Sequence, residues 1–154
     1  YPELLYDRAL AADKLGKFKI LEQDLRKLIK MKPDSAHAYN ALGYSLAERG
    51  SQLPEALKLI KKAVELSPED PYIMDSLGWV HYRMGNLVEG LNYLNLAFAA
   101  RPDAEIAAHL GEVLWMKGAK DDAKNIWRFA LEKDPDNEVL LETLQRFIKK
   151  KIIE

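Results

Sequence analysis

The 154 residues contain no cysteine. Disulfides, thiolate zinc sites and thiol catalysis are therefore excluded, and cysteine usage gives no reading of redox compartment. Neither charge dominates: 23 Lys and Arg stand against 24 Asp and Glu, for a formal net charge of -1. A general nucleic-acid or anionic-membrane binder needs a positive field, so neither is expected. No apolar run approaches the ~20 residues that a bilayer span requires. Catalytic equipment is also scarce. The five serines and one threonine lie in no nucleophile-elbow or P-loop pattern. His37, His81 and His109 are far apart in sequence, with no i, i+4 pair to suggest a metal. Asp121, Asp122, Asp134 and Asp136 fall in turns and caps, where acids serve structure. No enzymatic activity, metal or cofactor is expected. No strand-like alternation occurs.

What the chain has is repetition, a signal that must be read before any other. Gly85, Gly90, Ala97 and Pro102 match Gly118, Ala123, Ala130 and Pro135 at identical offsets. Gly50, Ala56, Ala63 and Pro68 match with one residue inserted, and Gly16, Leu21, Leu28 and Pro33 form a degenerate copy. Gly43, Gly78 and Gly111 each stand seven residues before a turn glycine. These offsets predict repeats at about 2–35, 36–70, 71–103 and 104–137, then a capping helix over 138–152. The chain opens YPELLYDRAL, with no Met and already inside a helical pattern, which reads as a piece cut from a longer chain. On that reading the missing leader pattern says nothing about where the parent protein resides.

Each unit reads as a helical hairpin. In the third, Asp70 suits an N-cap and Pro71 the first helical position. Ile73, Met74, Leu77, Val80 and His81/Met84 recur at helical spacing, and His81 is expected to be a buried, hydrogen-bonded packing residue. Gly85 should end the first helix in a left-handed conformation. The second helix carries Leu87, Leu91, Leu94, Ala97 and Phe98 and stops at Pro102. Gly78 and Ala97 are small because the two helices cross closely there, which outweighs glycine's ~1 kcal/mol helix penalty. In the final helix Val139, Leu141, Leu144, Phe147 and Ile148 should pack inward, with Glu142, Gln145, Arg146 and Lys149 in water. The fold class is an all-α solenoid.

The period near 34 residues and the pattern Met74, Leu77, Gly78, His81, Gly90, Leu94, Ala97, Pro102 resemble the tetratricopeptide repeat. The second copy supplies Tyr39, Leu42, Gly43, Leu46, Ala56, Ile60, Ala63 and Pro68, and the fourth Ala107, Leu110, Gly111, Leu114, Ala123, Trp127, Ala130 and Pro135. The first departs most, with Arg8 and Ala9 where Leu and Gly are usual, which predicts looser packing. The resemblance implies a right-handed superhelical solenoid of four hairpins whose first helices line a concave side. It also implies that repeat positions 2, 5, 9, 12 and 13 meet a ligand. On that basis Asn40, Tyr44, Tyr72, Asp75, Trp79, Tyr82, Arg83, Glu112, Trp115 and Met116 are the expected partner-binding residues. Trp79 stands where a small or polar residue is usual, so it is expected to be exposed in the groove as a binding hot spot. For Tyr82 and Trp115, filling between neighbouring helices and ligand contact are both open. Trp127, Phe98, Tyr39 and Phe129 fall on packing positions or the second-helix side. The Lys/Asn/Arg carboxylate clamp of chaperone-binding relatives is not assembled, since only Arg83 is cationic among its equivalents.

Residues 36–127 look more closely like the carboxyl-terminal repeats of bacterial envelope tetratricopeptide lipoproteins, some of which are protease adaptors. That likeness implies a periplasmic scaffold attached to the outer membrane through its parent chain. The expected function is a non-catalytic module that binds a partner protein or peptide in its concave aromatic groove. Two alternatives stand beside it. One is a structural spacer that self-associates through an open Leu4/Leu5/Ala9 face and an Ile148/Ile152/Ile153 end. The other is the regulatory arm of a repeat-fused enzyme.

Overall fold

Helix boundaries follow from single residues. The structure, a computed structural model, describes residues 1–149. Asp70 accepts from the backbone N–H groups of Tyr72 and Ile73, with Pro71 at the first helical position. Ser35, Asp103 and Asn137 cap their helices in the same way. Gly16, Gly50, Gly85 and Gly118 all take positive φ, the left-handed stop that a Cβ would disfavour. These signals delimit α1 Pro2–Lys14, α2 Phe18–Met31, α3 Ala36–Glu48, α4 Leu53–Leu66, α5 Pro71–Arg83, α6 Leu87–Ala100, α7 Ala104–Met116, α8 Lys120–Lys133 and α9 Glu138–Leu144. A π-helical turn over Gln145–Lys149 follows α9. Among the described residues there is no strand, and the fold is an all-α solenoid.

Four hairpins stack: α1 on α2, α3 on α4, α5 on α6, and α7 on α8. Each second helix packs on the next first helix, and the first helices α3, α5 and α7 also touch in sequence. Inside the last three hairpins the crossing is very close. A Cβ on Gly78 would stand 2.8 Å from Leu94 Cγ and 2.9 Å from the Gly90 carbonyl oxygen. Around the crossings lie Leu42, Leu46, Ala56 and Ile60, then Leu77, Val80, Leu94 and Ala97, then Leu110, Ala123, Trp127 and Ala130, all buried. His81 is buried too, with Nδ1 3.2 Å from Glu89 and 3.4 Å from the Asn86 amide. No described helix is long and apolar enough to cross a membrane.

Several expectations change. Met84 is exposed at the end of α5, because the helix stops before it can turn inward. On α9 the inward residues are Leu140 and Thr143, and Leu141 is exposed. Asn137 caps the helix. Val139, Leu144, Phe147 and Ile148 do pack on the last hairpin. The helix expected to 152 ends its α-helical part at Leu144, and residues 150–154, including Ile152 and Ile153, lie outside the described residues. Of the proposed open end, Leu5 and Ala9 are buried and only Leu4 is exposed. In the first repeat Arg8 bonds the buried Asp24 carboxylate through Nε and Nη2 at 2.7 and 2.6 Å, and α1 and α2 pack less extensively than the helices of the other hairpins, as expected.

The Gly78 crossing yields a test. Gly78→Ala should lower stability by about 1–3 kcal/mol, the usual range for overpacking, although alanine is the better helix former. Leu96→Ala on the exposed side of α6 should leave the thermal midpoint unchanged. A neutral Gly78→Ala would show that the hairpin separates without strain.

Candidate functional site

The first helices form the inner wall, and their side chains join one repeat to the next. Trp79 on α5 is the clearest departure from expectation. It is only 2% exposed, not a free ring in the groove. Its indole stacks on His109 of α7 with centroids 4.2 Å apart, and its Nε1–H donates to Glu48 Oε2 of α3 at 3.1 Å. The expectation failed because the next repeat brings a large ring, His109, into the gap where a small side chain would have left Trp79 open. A buried indole needs an acceptor, and Glu48 supplies it.

His109 is the hub that sequence reasoning missed. Its Nδ1 lies 2.9 Å from Asp75 Oδ1, and both residues are buried. Its Nε2 lies 3.0 Å from Tyr44 Oη on α3. Burial by itself pulls the imidazole down, but the Asp75 carboxylate, with Glu105 and Glu48 nearby, outweighs it and raises the pKa to about 9. Burial pushes the Asp75 carboxyl up against the pull of the imidazolium. The imidazole is thus held between the Asp75 carboxylate and the Tyr44 hydroxyl. Tyr44 is raised well above its ordinary range by burial and by Glu48. The available signal for His109 was its place next to Ala108, the residue that matches Asp75 of the preceding repeat.

A second junction lies toward the C-terminal end. Tyr82 Oη donates to Glu112 Oε2 at 2.9 Å, and Arg146 Nη2 donates to Glu112 Oε1 at 2.7 Å. Glu112 is buried, so its charge is held by these two donors and not offered to solvent. The Tyr82 ring sits 4.9 Å from Trp79 and is half-buried. Trp115 lies 5.8 Å from Trp127 and 5.9 Å from Phe147, which places it in the packing of the C-terminal hairpin. Arg83 is exposed, but its Nε donates to the Ala47 carbonyl at 3.0 Å, at the negative end of α3.

The ten expected binding residues thus divide. Trp79, Asp75 and Glu112 are buried in the wall, and Tyr44, Tyr82, Trp115 and Asn40 are half-buried. Asn40 Oδ1 has no hydrogen-bond partner among the described residues. Tyr72, 37% exposed, Met116, 54% exposed, and Arg83 remain open. Tyr72 Oη donates to Asp103 at 2.9 Å and receives Arg101 Nε at 3.0 Å. Leu10, which matches Trp79 in the repeat alignment, is also exposed. Among the described residues no three His, Cys, Asp or Glu side chains group as a metal site.

Stacked helical hairpins with inter-repeat contacts along one wall define a solenoid scaffold. The tetratricopeptide repeat model matches residues 6–71 and 76–138, and the chain belongs to that family. It is 50% identical over 115 residues to a TPR repeat-containing protein of Pseudomonas aeruginosa, covering 73% of this chain and 20% of that one. It is 25% identical over 140 residues to the mouse protein O-mannosyl-transferase TMTC1, covering 86% of this chain and 14% of that one. The chain therefore spans a fifth or less of these relatives. Among solved structures, a thermophilic TPR protein of Thermus thermophilus superposes with a TM-score of 0.83 at 24% identity, over 99% of this chain and 82% of that one. A Thermobaculum terrenum O-GlcNAc transferase mutant gives a TM-score of 0.69 at 26% identity, over 73% of this chain and 22% of that one.

Two outcomes are expected. Trp79→Ala should cost about 3–5 kcal/mol of stability, as for a large core ring; an unchanged thermal midpoint would contradict its burial. For His109, the folded pKa near 9 lies above the ordinary 6.5. The folded state holds the extra proton between those values, so its contribution is full below pH 6.5 and is lost as pH rises through 9. At about 1.4 kcal/mol per pKa unit the loss is on the order of 3 kcal/mol. Thermal melts across that range should show the decline, and the Asp75→Asn/His109→Gln double variant should flatten it.

Proposed function

We propose that the chain is a non-catalytic interaction module that binds a segment of a partner protein along its inner wall. Exposed Tyr72, Met116 and Leu10 on that wall carry the reading, since three large apolar groups stand on a surface whose interior is already packed. Tyrosine and arginine are common in binding hot spots, and Tyr72 and Arg83 stand at opposite ends of α5. Trp79 now acts beneath this surface as a support.

Charge refines the partner. Of the seven acidic side chains on the four first helices, Asp75 and Glu112 are buried and paired with His109 and Arg146, and the other five stand against Arg8, Lys14 and Arg83; the four second helices carry eight acidic and eleven basic. A segment combining apolar with basic residues is the complement of the inner side. Placement of the parent protein in the bacterial envelope, as a periplasmic adaptor, belongs to the same proposal. It draws support from the likeness of residues 36–127 to envelope lipoproteins and from the Pseudomonas relative. A second reading, the regulatory arm of an enzyme, is favoured by the two transferases with which the chain shares repeats.

Selection from a random peptide library should return sequences rich in Arg, Lys and aliphatic residues. Tyr72→Ala with Met116→Ala should weaken a selected peptide by about tenfold or more while leaving the thermal midpoint unchanged. Val88→Ala with Leu96→Ala, exposed on α6, should leave affinity unchanged. The reverse pattern would move the binding surface to the outer side.

A further inference from the structure

We infer that the groove between α8 and α9 with its following turn is a docking site for an acidic, apolar segment of a partner protein. On α4 and α6 the stripe that joins the hydrophobic clusters is aliphatic or aromatic throughout: Leu53, Leu57, Ile60 and Val64, then Leu87, Leu91, Leu94 and Phe98. The same stripe on α8 is Lys120, Lys124, Trp127 and Leu131. Two lysines thus stand where leucines fill the other junctions. The covering helix is also short, since α9 runs for 7 residues where α3, α5 and α7 run for 13. A cavity of about 340 Å³ is left there, within the range of roughly 300–1,000 Å³ of ligand pockets. Buried Trp127 and half-buried Leu131, Leu144 and Ile148 give it an apolar lining, and half-buried Lys124 and exposed Arg128 give it charge. No acidic residue lines it.

Charge specifies the occupant. Lys120, Lys124 and Arg128 recur at i, i+4 and i+8, one face of α8. At 1.5 Å of rise per residue the row is about 12 Å long. None of the three has a carboxylate partner among the described residues. Lys120 and Lys124 lie over the Trp115 ring at 5.1 and 5.9 Å, and Arg128 donates to the Asn125 amide oxygen at 3.4 Å. A single anionic headgroup spans far less than this row. Carboxylates distributed along a polypeptide, with aliphatic side chains between them to enter the cavity, are its complement. The inner wall calls for the opposite charge, so the two surfaces select different segments, and neither depends on how the other is used.

A labelled helical peptide with leucine on one face and glutamate beside it tests this, against a second peptide with lysine in place of glutamate. The acidic peptide should bind saturably, shift the amide resonances of Lys124–Leu131 and Leu144–Ile148, and weaken as salt screens the pairing. Lys124→Glu with Arg128→Glu should weaken it by about tenfold or more, and Lys124→Gln with Arg128→Gln by a smaller factor in the same direction. Lys133→Glu, on the same helix, and Tyr72→Ala with Met116→Ala on the inner wall should leave it unchanged. Equal affinity for the lysine peptide, or no saturable binding of the acidic one, would overturn the proposal. Loss of binding in the Tyr72→Ala/Met116→Ala variant would also overturn it, by moving the site to the inner wall. The same resonance shifts with laurate but not with the acidic peptide would assign the groove to a fatty acid instead. Binding that appears only after removal of residues 150–154 would assign it to the chain's own Ile152 and Ile153.

Discussion

In the last three hairpins the two helices approach so closely that one residue of the first helix can carry no side chain, and in the first that residue is Ala9. At Gly43 a Cβ would stand 2.6 Å from Ile60 Cγ1, at Gly78 it would meet Leu94 and the Gly90 backbone, and at Gly111 it would run into the Trp127 indole. This contact sets the rotation of every first helix about its own axis. Once that rotation is fixed, the side chains on the opposite flank have no choice of direction, because helical periodicity carries them onto the inner wall. The inter-repeat contacts are a consequence of the intra-repeat crossing.

On that wall the solenoid uses polar chemistry where it could have used more aliphatic packing. A buried ion pair such as Asp75–His109 is not in itself strong evidence of stability, since desolvation offsets much of its attraction. Its geometry, however, is demanding. An imidazole fixed between Asp75 and Tyr44, with an indole stacked on it, tolerates only one offset between α3, α5 and α7. Glu112 does the same further along, joining Tyr82 of α5 to Arg146 of the terminal turn. The wall is a set of directional links, and directionality specifies the pitch at which one hairpin follows another.

This explains what could be read in advance. Caps, stops and crossings depend on residues close in sequence, so Asp70, Gly85 and Gly78 announced them. Tyr72 and Met116 were legible as open for a related reason: they lie near the ends of their helices, where the neighbouring repeat covers less. Trp79 was not. Its surroundings are Glu48, 31 residues earlier, and His109, 30 residues later, and their meeting depends on the superhelical pitch. A repeat position that is open in one array closes in another when the next repeat brings a ring. His81 was legible as a packing residue because its partners Asn86 and Glu89 are local.

The closed floor also bears on how the open surface works. Binding a partner costs less when the receiving side chains are already ordered. Arg83 is held to the Ala47 carbonyl, and Tyr72 between Asp103 and Arg101, so both reach the surface with much of their rotamer freedom already lost. Trp79 and His109 are buried and stacked between the first helices. The groove therefore divides by depth. Its floor holds the repeats in register and titrates with pH, and its upper layer presents a preordered apolar and charged surface.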